Sequence, residues 1–184
     1  MNTSSSRAQK MRMKVNDILN ANGMHQHQRD AAERTFKSFD EQTRAVVLAA
    51  EMQAGKSGIS VALACQQRLN LTDEAIIDRA QLKDTLYMLT MVDTALLQQA
   101  EVDLKPAKNA VVTNFNRFEN DIESHFKGSP PKLIIIDECH YGSNISAIRY
   151  NRVFDYLEEN KDCKIVFISA TPFGALYAAE QAYD

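Results

Sequence analysis

With 184 residues, 45% of them hydrophobic and 24% charged, the chain has room for one domain with a real core and is neither disordered nor fibrous in composition. A formal net charge of −3 argues against a surface devoted to gripping phosphate backbones, which carries a basic excess. No apolar run approaches the roughly 18 residues of a membrane span.

The start, MNTSSSRAQKMRMK, has charges but no apolar run behind them, so it does not read as a secretion signal. Residues 1–24 read as a polar, partly basic tail (Arg7, Lys10, Arg12, Lys14) with a helix from about Met11 to Leu19. Residues 25–184 read as one domain. His25–Phe39 turns helical, with Ala31, Ala32, Thr35, Phe36 and Phe39 able to share a face. Ala45–Ala50 is a short apolar strand, followed by a glycine-bearing loop and a helix from Lys56 to about Leu69. Thr72 is placed to cap a helix running to about Asp84, with Ala75, Ile76 and Ala80 inward. Leu86–Val92 is a second strand, and Asp93 or Thr94 caps a helix through about Glu101. Ala110–Thr113 is a third strand, with a helix to about Phe126 that the turn Gly128-Ser129-Pro130-Pro131 stops. Leu133–Ile136 is unbroken aliphatic sequence, the mark of a strand buried on both faces. A helix from about Ile145 to Glu159 and a fifth strand at Lys164–Ile168 complete the series. The alternation predicts an α/β fold: a mainly parallel sheet of about five or more strands between two helical layers. Three cysteines, Cys65, Cys139 and Cys163, with no two separated by two residues, speak against a zinc knuckle or disulfide framework and for a reducing cytoplasm.

Three segments carry chemistry. The first, Ala50-Glu51-Met52-Gln53-Ala54-Gly55-Lys56-Ser57, joins the first strand to its helix. Phosphate binding needs backbone N–H groups in a tight loop, a helix N-terminus behind them and a cation. Gly55 permits the unusual backbone angles, Lys56 can reach the β- and γ-phosphates of a nucleotide, and the Ser57 hydroxyl can ligate Mg²⁺. Gln53, Ala54 and Gly58 complete the expected nucleotide contacts. The second, Leu133–His140, is an aliphatic strand ending in two acids at the carboxyl edge of the sheet, where open α/β folds bind ligands. Asp137 suits the Mg²⁺ shell, and Glu138 can orient and deprotonate an attacking water. The third is Ser169-Ala170-Thr171 after the last strand, whose hydroxyls could bond to the acidic box on a neighbouring strand.

AxxxxGKS, then DECH, then SAT, in that order on alternating strands, resembles the first RecA-like domain of superfamily-two helicases and translocases over roughly residues 25–175. The family's version of the first loop commonly opens with Ala, as at Ala50. The resemblance implies a RecA-like, three-layer P-loop NTPase domain that binds ATP and Mg²⁺. It implies catalytic roles for Lys56 and Glu138, metal binding by Ser57 and Asp137, and coupling of nucleotide state to domain movement by His140, Ser169 and Thr171. Many members place a Gln where its amide reads the adenine edge; Gln28 stands at about that distance, with Gln26 as the alternative. Thr113 and Arg117 correspond to the family's nucleic-acid phosphate contacts, while Thr90–Thr94, after the second strand, lacks the Arg of many DEAD-box members. The family's partners are nucleic acid, here with DNA favoured over RNA and weak binding expected in isolation, and a second RecA-like domain supplying arginine fingers. With the chain ending at Asp184, that second domain is expected in a continuation or a partner chain, and hydrolysis by this chain alone is expected to be weak. A bacterial or phage-infected cytoplasm is the expected location. Two readings stay open beside the motor: a regulatory nucleotide-binding module that does not hydrolyse, and a non-helicase P-loop enzyme.

Overall fold

A computed structural model describes residues 3–21, 23–50, 55–137 and 147–170. The start of the chain is a single helix, α1 (Thr3–Leu19), longer than the short segment expected from Met11. Its polar sequence has little helical drive of its own, and docking supplies the rest. Ala8 is fully buried and Val15, Ile18 and Leu19 pack on the core. Arg12 donates to the carbonyls of Leu69 and, at 2.6 Å, Leu71, and pairs with Asp73 at 3.0 Å. The first two acceptors lie where the next-but-one helix ends and its carbonyls lack intrahelical donors.

Helix α2 (Gln26–Lys37) buries Ala31, Ala32, Thr35 and Phe36 on one face. Strand β1 (Ala45–Ala49) leads through the loop to α3 (Lys56–Leu69). Helix α4 (Asp73–Asp78) is capped by Thr72, whose hydroxyl accepts from the Ala75 N–H at 3.2 Å, but it stops well short of Asp84. Two demands end it. Arg79 folds back to the Lys83 and Pro130 carbonyls at 3.0 and 3.2 Å, and the Asp84 carbonyl accepts from the N–H groups of Lys132 and Leu133 at the start of a strand. The Asp84 side chain meets Arg68 at 2.7 Å in a buried ion pair. Then come β2 (Thr85–Leu89), α5 (Thr94–Asp103), β3 (Ala110–Asn114), α6 (Phe118–Phe126), β4 (Leu133–Asp137), α7 (Ala147–Glu159) and β5 (Lys164–Ser169). Asp93, not Thr94, caps α5, accepting from the Leu96 N–H at 3.0 Å. Strand β2 ends at Leu89 instead of Val92, where its partners β3 and β4 also end, and Thr90 beyond it turns its hydroxyl onto the Asp137 carbonyl at 3.3 Å.

The described strands form a five-stranded, all-parallel sheet in the order β1-β5-β4-β2-β3. Alternation along each strand sends side chains to two separate cores. Tyr87, Leu89, Leu133, Ile135, Val166 and Ile168 pack with α2, α3 and α5. Leu86, Met88, Ile134, Ile136, Ile165 and Phe167 pack with α6 and α7. The sheet is thus the middle of three layers, as the sequence implies. Cys65 and Cys163 are free and buried, and burial pushes both thiols up to about 12. No described helix is long and apolar enough to cross a membrane.

Candidate functional site

Parallel strands deliver all their carboxyl ends to one rim. Register places Ala49 opposite Ser169, Ile168 opposite Asp137, and Asp137 opposite Leu89. The Ala50 N–H continues the β1–β5 ladder, donating to the Ser169 carbonyl at 3.0 Å. The loop-bearing strand and the acid-bearing strand are therefore not neighbours: β5 lies between them, and Ala50, the last described residue before the loop, sits beside the end of β5.

Beyond the loop, Gly55 takes the left-handed conformation (φ 67°) as the residue that opens α3, where an L side chain is strained. Its carbonyl accepts from the Ile59 N–H at 3.2 Å, closing the first helical turn, and from Gln28 Nε2 at 3.0 Å. Gln28 Oε1 in turn accepts from the His25 N–H at 2.9 Å. The Gln28 side chain, 3% exposed, lies so close that a Cβ on Gly55 or Gly58 would stand 2.4 or 2.3 Å from its amide nitrogen. Two of the glycines singled out in the sequence thus serve one purpose, the close approach of α2 to the start of α3. Gln28 sits against Gly55 at the start of α3, and its amide accepts from His25 and donates to Gly55.

Lys56 and Ser57 are the first residues of α3, half-buried, with backbone N–H groups at the positive end of the helix dipole. The Ser57 hydroxyl donates to Asp103 Oδ2 at 2.8 Å. Asp137 closes β4 on the face shared with Leu133 and Ile135, the face that α3 covers. Its carboxylate accepts from the Tyr87 hydroxyl at 2.5 Å. Tyr87 pairs with Ile135 in register, so it reaches Asp137 as a diagonal neighbour on one face. Ser57 and Asp137 offer hard oxygen donors at the same rim and on the same face of the sheet, a donor set that suits Mg²⁺.

Ser169 is fully buried at the end of β5 and, by alternation, shares the face of Ile165 and Phe167, opposite to that of Asp137. Its strand neighbours β4 as expected, yet its side chain belongs to the other layer. Thr113 is fully buried within β3, its hydroxyl donating to the Asn114 carbonyl at 3.3 Å. Arg117 lies at the surface beside α6, paired with Asp121 at 3.4 Å and near Glu101 at 3.9 Å. In the loop after β2, Thr90 is buried while Met91 and Val92 are exposed, so that loop presents apolar surface and no cation. Gln53, Ala54, Glu138, His140 and Thr171 lie outside the described residues.

Sequence reasoning missed Tyr87 and Asp103. Tyr87 could be found only once β2 and β4 are known to be neighbours. Asp103 depends on how α5 packs against α3, for which no local pattern exists.

No curated protein matches the chain. The model of the family described as "Type III restriction enzyme, res subunit" matches residues 22–174, well over half of the chain. The matched span takes in the loop before α3, the end of β4 and the end of β5. The chain belongs to this family, whose domain is a helicase-like ATPase of superfamily-two type.

Proposed function

We propose that this chain binds ATP with Mg²⁺ and hydrolyses it to drive movement on DNA, acting with a second RecA-like domain. The observation that carries the reading is the rim itself. Strand β1, which leads into the loop segment, lies on one side of β5, and Asp137 ends β4 on the other, on the face of the sheet that α3 covers. Backbone N–H groups of the loop and first turn hold the phosphates, and Lys56 contacts the β- and γ-phosphates. Ser57 and Asp137 hold the Mg²⁺, which when bound neutralises phosphate charge. Tyr87 keeps one Asp137 oxygen oriented. Glu138, next along the chain, orients the attacking water and accepts its proton, in keeping with the DECH sequence and with a DEAD/DEAH-type box. Gln28 steadies the start of α3 from α2 and offers its amide to the adenine edge. Arg117, rather than Thr113, is the better placed phosphate contact for nucleic acid. The DNA assignment leans on the family's description as part of a restriction enzyme.

Turnover by the described domain without a second RecA-like domain is expected to be slow, because arginine fingers in comparable NTPases are worth about 10³–10⁵ in rate. The test is nucleotide binding and phosphate release on the purified chain, with and without single- and double-stranded DNA and RNA. Lys56→Ala is expected to abolish ATP binding, and Glu138→Gln to keep binding while removing turnover. Unchanged turnover in Glu138→Gln would refute the base, and unchanged binding in Lys56→Ala would refute the site.

A further inference from the structure

Asp103 is the last residue of α5, and the last turn of that helix carries no basic residue. A carboxylate there faces the negative end of the helix dipole, the unfavourable end for an anion. Both its oxygens are nonetheless engaged: Oδ1 accepts from Gln99 Nε2 at 2.7 Å and Oδ2 from the Ser57 hydroxyl at 2.8 Å. The second contact joins positions 46 residues apart on two different helices, so it reflects how α5 is set against α3 and not a local turn.

A hydroxyl has one proton and two lone pairs. With its proton committed to Asp103, Ser57 can turn only lone pairs to a cation, and the negative acceptor behind the proton raises the electron density on the oxygen. The same arrangement, a carboxylate behind a ligand's proton, orients and strengthens metal-binding histidines. We propose that Asp103 is a positioning residue for the divalent cation of the ATP site, acting through the Ser57 hydroxyl without contacting nucleotide or metal. This rests on the nucleotide-site reading above. It assigns to α5 a part in that site that the loop and the acidic box do not reveal.

The experiment is titration of the full chain with a fluorescent ATP analogue, once in Mg²⁺ and once in excess EDTA. In Asp103→Ala the affinity for the Mg²⁺ complex is expected to fall about 10–100-fold, the usual loss on removing such a supporting group, while metal-free affinity stays within roughly twofold. Asp103→Asn, whose amide oxygen still accepts, is expected to lose less. The double variant Ser57→Ala/Asp103→Ala is expected to bind no worse than Ser57→Ala alone, because Asp103 acts only through that hydroxyl. Equal losses with and without metal mean a merely structural role and overturn the proposal, as do additive losses in the double variant or an unchanged Asp103→Ala. Should Asp103→Ala not fold, Asp103→Asn carries the same comparison. If the unaltered chain binds the analogue no better with Mg²⁺ than without, it is the nucleotide-site reading that fails, and the proposal falls with it.

Discussion

Gln28 and Gly58 meet at a distance that leaves no room for a methyl group: a Cβ at position 58 would stand 2.3 to 2.6 Å from all three terminal atoms of the amide. Because those atoms are the far end of a flexible side chain, the helix need not move; the amide swings out and gives up the Gly55 carbonyl. Gly58→Ala is therefore expected to cost about 1–3 kcal/mol, a lost hydrogen bond plus local repacking, read as a lower urea midpoint. In a Gln28→Ala background the same substitution is expected to cost far less, since the obstacle has gone. Equal costs in both backgrounds would show that something other than Gln28 fills the space. Gly55 was legible in the sequence as part of a loop and Gly58 as an expected nucleotide contact, but the side chain that crowds both sits 27 residues away from Gly55, and nothing in the spacing announces it.

Between elements, the most exacting contact is the buried pair at the end of α3. Arg68 and Asp84 are 6% and 0% exposed, and burial pushes each toward its neutral form, raising the Asp84 carboxyl and lowering Arg68. Each opposes the other's shift, and Asn109 adds a bond to Asp84 at 2.5 Å while donating also to the Ala64 carbonyl at 2.9 Å. Arg68 also donates to the carbonyls of Arg79 and Leu82 at 2.6 and 2.8 Å, just after α4. Asp84→Ala strands the guanidinium, and the expected loss is about 3–5 kcal/mol, measured by chemical unfolding; a change under 1 kcal/mol would mean that water reaches Arg68 freely. This contact also explains one misreading. The periodicity around Ile76 and Ala80 suggests a helix continuing to Asp84, but tertiary demands on Arg79 and Asp84 break it after Asp78. The opposite error, at α1, has the same root: a Ser-rich start of poor propensity is helical because Arg12, Val15 and Ile18 have somewhere to dock.

At the scale of the whole molecule, the alternation of apolar strands and amphipathic helices was enough to give the layers and the parallel sheet, because burying both faces of a strand writes itself into composition at stretches such as Leu133–Ile136. Strand order was not legible: loop lengths and periodicity do not say that β5 slots between β1 and β4. The site followed the same division. Gly55–Ser57 and Asp137 stand out as candidates from their motifs, while Tyr87 and Asp103, which hydrogen-bond to Asp137 and Ser57, appear only once the strands and helices are packed.

That order has a consequence for how the protein comes into being. In the described sheet β1 is hydrogen-bonded to β5 alone, and the residues it meets, Ile165 to Ser169, are about 120 positions further along the chain than Ala45 to Ala49. On a ribosome the segment proposed to cradle a triphosphate emerges early and must wait, its apolar strand without a ladder, until β5 has been made. Closing so long a loop is slow, so nucleotide-binding competence is expected to arise as one of the last events of folding. A stopped-flow refolding experiment would show it as analogue fluorescence that lags behind the far-ultraviolet signal of the helices; simultaneous recovery of both would mean that the rim assembles without its last strand.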